Sequence, residues 1–243
     1  MRVGFDAKRL FNNFTGLGNY SRFVVSALSE YYPNNEYWLY TPDLRNHSEI
    51  NGILKKKSIS LHTPSSLTTS LRLGSFWRSY HLGNVAAHDS VQLFHGLSNE
   101  LPITKPRSLK TIVTVHDVIF KRFPQLYKPI DRQIYTWKLN NACRTADKII
   151  AISKQTADDL VEFLKIDPAK IEVVYQGCHA NFKRTYSKDQ LKEVQTKYKL
   201  PKEFILNVGT IESRKNVLLL LQALKSSAND LPVLIVGRAT SYM

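Results

Sequence analysis

The stretch Thr111–Val115 places five β-branched residues in succession, and this constrains the chain more than any other feature. β-Branched side chains lose little by being held extended and pack well on a pleated surface. A run with so little polar alternation predicts a central parallel strand covered on both faces. The run ends on His116 and Asp117, two titratable residues at its carboxyl end. In open α/β sheets, ligands bind in the crevice beyond the carboxyl ends of the strands. His116 is therefore placed either to touch a ligand or to sit, satisfied, in an ordinary strand-to-loop turn.

Further strands are expected at residues 2–6, 36–40, 59–62, 91–96, 148–152 and 171–175. Between them come Gly-containing turns and helix-period segments, the pattern of an α/β chain with a parallel sheet. After residues 2–6 comes a loop containing Gly16 and Gly18, then the apolar-periodic run Tyr20–Leu28. Two glycines let the backbone turn with positive φ and approach a phosphate or sugar. A helix starting near Gly18 would aim its amides at the same spot. The spacing is not that of dinucleotide binders, because Arg22 and Phe23 stand where a third glycine would be needed.

Residues 43–62 are polar and lysine-rich and read as a surface loop leading to an edge strand. In Leu71–Leu82 the apolar residues Leu73, Phe76, Trp77 and Tyr80 recur at helical spacing among Arg72, Arg78 and His81. That pattern suits a helix with its aromatic face in the core, or a basic amphipathic segment resting on a membrane. His95 closes another strand, with Asn99 shortly after it. A helix is expected at 131–146, and Ser153 is placed to cap a helix at 154–164.

From 183 the chain turns charged, with a short helix expected before Pro201. Strand, loop and helix then restart at Phe204–Gly209, Thr210–Asn216 and Val217–Lys225, with another strand at 232–237. The boundaries that follow are a first Rossmann-like domain at 1–182, a linker at 183–202 and the incomplete start of a second domain at 203–243.

The formal charge is +14 with a pI near 9.7. Such a surface attracts polyanions: nucleic acid, anionic lipid headgroups or nucleotide diphosphates. The basic residues are scattered, and no finger, homeodomain or RNP signature accompanies them, so nucleic acid is not expected as a partner. The two cysteines are far apart with no CxxC spacing, which signals neither a disulfide framework nor a zinc site and fits a reducing cytoplasm. No metal is expected. No secretory signal is read at the N-terminus, and no apolar run reaches the roughly 18 residues of a membrane span.

Several stretches carry a resemblance taken together: Val3–Lys8 with Thr15–Tyr20, Thr114–Asp117, Ala146–Lys154, Val173–Gly177 and Asn207–Asn216. In that order and spacing the chain resembles the retaining GT-B glycosyltransferases of the group 1 type, and within them bacterial mannosyltransferases of polysaccharide and lipopolysaccharide assembly. The resemblance implies a cytoplasmic hexosyltransferase, peripheral on the inner membrane face. It would move a sugar from a nucleotide donor, GDP-mannose or a UDP-sugar, to an oligosaccharide or lipid-linked acceptor. No cofactor is implied, since the sugar nucleotide is a substrate.

The same resemblance assigns His116 and Lys215 to catalysis, the first bonding a donor-sugar hydroxyl and the second neutralising the departing diphosphate. It places Gly16, Gly18, Asp117, Gly209, Thr210, Arg214 and Asn216 at the donor, and Asn19, Tyr20, His95 and Asn99 at the acceptor. Thr210 stands where the family often has arginine, and Arg214 is a substitute for that charge. The family's Glu-rich donor motif lies beyond the residues seen here. The chain is therefore expected to be truncated in its second domain and inactive by itself. The alternative is a non-catalytic chain that holds acceptor only.

Overall fold

The computed structural model describes all residues except 46, 66–72, 179, 228–229 and 239–243. It divides into two units, Met1–Cys178 and His179–Met243. The first is built on a seven-stranded parallel sheet in the order β3-β2-β1-β4-β5-β6-β7. Its strands are β1 (Arg2–Asp6), β2 (Glu36–Tyr40), β3 (Ile59–His62), β4 (Leu93–Gly96), β5 (Lys110–Val115), β6 (Lys148–Ala151) and β7 (Ile171–Val173). The β-branched run occupies β5, between β4 and β6, where covered positions were expected. This is the Rossmann-like first domain that the sequence predicts.

Strand parity sorts the core. Phe5 pairs with His95, and His95 with Ile112, so these share one face with Thr114. On that face Val3, Phe5 and Leu39 pack with Leu10, Phe11, Val25, Ile50 and Ile53. The last five come from helices α1 (Lys8–Asn12), α2 (Gly16–Tyr31) and α3 (Ser48–Leu54). On the other face Phe94, Val113 and Val115 pack with Leu82, Ala86, Leu139 and Ala142. Those come from α4 (Leu82–His88) and, beyond the short helix α5 (Ile119–Arg122), from α6 (Pro129–Thr145). Helix α7 (Lys154–Leu164) is capped as expected, the Ser153 hydroxyl accepting from the Thr156 amide at 3.1 Å.

Three expectations need correction. Residues 43–62 are not simply loop: α3 forms there because Ile50 and Ile53 are buried against the core. Gly16 and Gly18 do not form a positive-φ loop but lie in the first turn of α2. Of the segment 71–82, residues 71 and 72 lie outside the described residues. Residues 74–82 are helical, with Trp77 buried and Leu73, Phe76 and Tyr80 exposed. The core reading holds for Trp77, while the other three side chains lie at the surface.

The second unit contains α8 (Lys188–Lys197), β8 (Ile205–Val208), α9 (Val217–Ser226) and β9 (Val233–Val236). Residues 183–202, expected as a linker, belong to this unit, and α8 opens on a capping box at Ser187 and Gln190. Strands β8 and β9 pair in parallel, and Leu206, Val208, Leu218, Leu219 and Val236 are exposed. Parallel strands ordinarily have both faces covered.

Candidate functional site

The polar residues of the first unit converge at the carboxyl edge of the sheet. His116 follows directly on β5, and its ring is buried, with the residue 8% exposed. Its Nε2 lies 2.9 Å from the Leu97 carbonyl oxygen, which can only accept, so Nε2 carries the proton. Nδ1 then offers its lone pair, 3.2 Å from the Gln176 side-chain nitrogen. The His116 backbone amide donates to Asn99 Oδ1 at 2.8 Å, and its carbonyl accepts from Thr156 Oγ1 at 3.2 Å. Asn99 adopts a left-handed conformation (φ 61°), which asparagine tolerates, and its amide bonds the Thr114 carbonyl.

Tyr20 meets the His116 ring edge-on at 4.7 Å. Its hydroxyl is 3.0 Å from Thr114 Oγ1, which in turn is 2.8 Å from His95 Nε2. Burial, and then the neighbouring His116, push His95 down to about 4. Burial also lowers His116, against the opposing pull of the Leu97 carbonyl and Asp117. Both imidazoles are neutral near pH 7. His116, Tyr20, His95 and Asn99 therefore form one group, with Thr114 at its centre.

The sequence left His116 either touching a ligand or satisfied in a strand-to-loop turn; in the structure both ring nitrogens are engaged within the chain, Nε2 by Leu97 and Nδ1 by Gln176. Asp117 turns back on its own chain, its Oδ1 accepting from the Ile119 amide at 3.2 Å. Asn19 is exposed and accepts a hydrogen bond from the Arg22 guanidinium. The Gly18 amide is not free to bind phosphate, because it donates to Asn13 Oδ1 at 3.1 Å. Gly16 is exposed, with open space around it.

The remaining candidates lie in the second unit. Gly209 follows β8 and bonds the Val236 carbonyl, and Thr210 comes next. Ser213–Lys215 forms a 3-10 turn, and Asn216 takes φ 49° as it enters α9. Arg214 is 2.5 Å from Glu212, so part of the charge expected to replace an arginine at Thr210 is already spent. Lys215 is exposed, and no partner for its ammonium is recorded among the described residues. Asn216 offers no side-chain cap to α9, and of the first-turn amides that of Leu219 donates to the Asn216 carbonyl at 3.1 Å, so the two amides that precede it, beside Lys215, are the ones that could meet an anion.

A second polar group at the sheet edge was not foreseen. Arg78 bonds Asp6 Oδ2 at 2.8 Å and pairs with Glu100, which also holds Lys138 at 3.4 Å. Asp6 ends β1, so its position at a strand end was visible in the sequence, whereas its partners were not. Gln176 was likewise visible only as part of the Val173–Gly177 stretch. Among the described residues no group of three or more His, Cys, Asp or Glu side chains could hold a metal ion.

A family model described as Glycosyltransferase Family 4 matches residues 16–182. The serotype-specific mannosyltransferase WbdA of Escherichia coli is 31% identical over 139 residues, 55% of this chain and 17% of that protein. Over 92 residues, 38% of this chain and 23% of the relative, identity is 33% to a Campylobacter jejuni enzyme. That enzyme is named N-acetylgalactosamine-N,N'-diacetylbacillosaminyl-diphospho-undecaprenol 4-alpha-N-acetylgalactosaminyltransferase. Among solved structures, Anabaena HepE with UDP and glucose superposes with a TM-score of 0.63 at 14% identity, covering 99% of this chain and 62% of HepE. A glycosyltransferase from Rickettsia africae gives 0.58 at 16% identity, covering 97% of this chain and 60% of that one. The chain thus spans less than a quarter of the curated relatives and about three fifths of the structural neighbours.

Proposed function

This chain belongs to Glycosyltransferase Family 4, and we propose that it supplies the acceptor side, and the opening part of the donor side, of a retaining hexosyl transfer. The donor is a sugar nucleotide, GDP-mannose in the first instance, and the acceptor a growing polysaccharide or lipid-linked oligosaccharide. The observation that carries the reading is the fixed, neutral His116 at the carboxyl end of β5. With Nε2–H held by Leu97, Nδ1 is a preset acceptor. A sugar hydroxyl entering in place of the Gln176 amide would donate to it without any change of protonation.

In the second unit Lys215 and the first amides of α9 would stabilise the charge that gathers on the leaving diphosphate. No metal is required for that. We place the protein at the cytoplasmic membrane face. No helix among the described residues is long and apolar enough to cross a membrane. Exposed Ile130, Ile134 and Trp137 beside Lys128 support a surface contact better than 71–82 does, since Arg78 there is ion-paired.

The exposed apolar residues of the second unit favour a second reading, in which the chain as it stands binds acceptor without transferring sugar. One assay separates the two: GDP-mannose turnover by this chain, alone and with a complete second domain from a relative fused after β9. In an active form, His116→Ala should cost roughly tenfold or more, and Lys215→Ala roughly a hundredfold. Turnover unchanged in both variants overturns the assignment. Acceptor binding without turnover by either form supports the second reading.

A further inference from the structure

A cavity of about 610 Å³ lies between α5 and one flank of α6. That volume falls within the range of small-molecule sites, about 300–1,000 Å³. Helix α6 sends Leu139, Ala142 and Cys143 into the core on the sheet face opposite His95, and turns Lys138 towards Glu100. A separate flank carries Arg132, Thr136 and Asn140 at four-residue spacing, with Gln133 and Trp137 beside them, and this flank lines the cavity. Phe120, Lys121, Pro124 and Pro129 complete the lining. None of these residues belongs to the His116 group or to the Arg78 ion pairs.

The lining holds two cations and no carboxylate. Neither the Lys121 ammonium nor the Arg132 guanidinium makes a hydrogen bond or ion pair among the described residues, and Arg132 Nε is buried without a partner. A partly desolvated, uncompensated guanidinium is costly, and an anion in the cavity would relieve that cost. The planar fork of arginine matches a carboxylate or phosphate with two parallel bonds. Uncharged hydrogen-bonding groups stand beside the cations. Asn140 Oδ1 accepts from Arg144 Nε at 3.1 Å, which leaves its NH2 to donate, and the Gln133 and Thr136 side chains have no partner among the described residues. Trp137 is 54% exposed, and its indole supplies a flat apolar wall. A phosphate alone would use only the cations, and a lipid tail only the wall. A charged pyranose uses all of them, its hydroxyls meeting the amides, its C–H face the indole and its charge Arg132 and Lys121.

We propose that this cavity is a second glycan site, separate from the histidine group, which holds an anionic sugar residue, carboxylated or phosphorylated, through Arg132 and Lys121 with Trp137 against the ring. It rests on the proposed function only in taking the occupant to be part of a glycan; the match to an anion with hydroxyls comes from the lining itself. Ile130 and Ile134 do not line the cavity and stay free for the membrane contact.

The probe is trigalacturonate, titrated into the full chain and followed by tryptophan fluorescence. A saturable change is expected, weakening as salt rises. Maltotriose, which lacks the charge, should bind more weakly by about tenfold or more. The Arg132→Gln, Lys121→Gln pair should lower the affinity for trigalacturonate by about tenfold or more, the scale of losing charge-assisted hydrogen bonds. Because neither side chain has a partner, the variant should fold, as an unchanged urea midpoint will check. Lys55→Gln with Lys57→Gln removes the same charge from the exposed surface and should change affinity by less than about twofold, because exposed charges are well screened. In Trp137→Ala the ligand-induced change should vanish, since Trp38 and Trp77 lie outside the cavity. Mannose-6-phosphate binding more tightly than trigalacturonate assigns the site to a phosphorylated sugar, and weaker binding assigns it to a carboxylated one. No saturable change with either acidic sugar, or a change that survives Trp137→Ala, overturns the site. So does maltotriose binding as tightly as trigalacturonate, an equal loss in the Lys55/Lys57 variant, or GMP binding more tightly than both acidic sugars. Because the readout is binding, failure of the transfer assay would count against the proposed function and not against this site.

Discussion

Gly16 and Gly18 stand two residues apart in one helical turn, and the structure gives them opposite tolerance for a side chain. A Cβ at Gly18 would lie 1.6 Å from the Asn13 carbonyl oxygen and 3.0 Å from that of Arg9, both of them backbone. A Cβ at Gly16 would meet nothing within 4 Å. Relieving the clash at Gly18 means moving residues 13–15 away from α2. That disturbs the Arg22 guanidinium, which donates to the Leu10 and Asn13 carbonyls at 2.9 and 3.0 Å. An overpacked backbone contact costs about 3 kcal/mol, and a lost hydrogen bond adds about 1 kcal/mol. Alanine returns about 1 kcal/mol as a helix former. Gly18→Ala should therefore destabilise the first unit by a net of about 3 kcal/mol. Gly16→Ala should be neutral or stabilise it by up to about 1 kcal/mol. All three tryptophans (Trp38, Trp77, Trp137) lie within Met1–Cys178, so their fluorescence in urea reports this unit alone. With a denaturant slope of about 2–3 kcal/mol per molar, the Gly18→Ala midpoint should fall by roughly 1 M. A Gly18→Ala midpoint within about 0.2 M of the parent, at the same slope, would refute the contact with Asn13. An equal fall for Gly16→Ala would show that the glycines matter as a loop rather than one by one.

Acid should weaken the first unit before its carboxylates titrate. Folded His95 sits at about 4, below its ordinary value, so the unfolded chain takes up a proton that the folded one refuses. The stability is full above pH 6.5 and falls as pH drops towards 4, by about 2 kcal/mol at pH 5 for this residue alone. His116 shifts in the same direction and adds to the loss. Urea midpoints that stay level from pH 7.5 to 5 would contradict the buried neutral pair. The two thiols should separate cleanly, because burial pushes Cys143 up to about 12 whereas Cys178 is exposed. Ellman's reagent at pH 8 should therefore titrate a single thiol in the native protein and both in urea, and rapid native reaction of both would disprove the burial of Cys143.

Much of the sheet was legible because its signal is local. The runs at β1, β2 and β5 carry their own β-branched and aromatic residues, and Ser153 announces α7 by its own hydroxyl. Helix α3 escaped because only Ile50, Ile53 and Leu54 mark it, within a polar, lysine-rich stretch; its stability comes from the core those three residues enter. The glycine pair misled for a related reason. Two glycines suit a loop or the close-packed start of a helix equally well, and only the position of Asn13 decides between them. Site membership was partly readable, since strand ends point to His95, His116 and Asp6. Partners were not, because Gln176 reaches His116, and Glu100 reaches Arg78, only once distant strands have become neighbours.

Gly96 explains how one loop serves both polar groups at the sheet edge. Successive residues of a strand face opposite sides, so His95 joins Thr114 and Tyr20 on one face, while Asp6, in register with Gly96, belongs to the other. A Cβ at Gly96 would lie 2.0 Å from the Glu100 carbonyl oxygen, so only glycine lets the chain after β4 fold back so tightly. That fold brings the Leu97 carbonyl and Asn99 Oδ1 to His116 and the Glu100 carboxylate to Arg78 and Lys138. The histidine group and the Arg78 ion-pair group thus hang on the same few residues, although no direct bond between the two groups is needed. A change at Tyr20 or at Asp6 reaches one of them, whereas a change that displaces loop 97–100 reaches both.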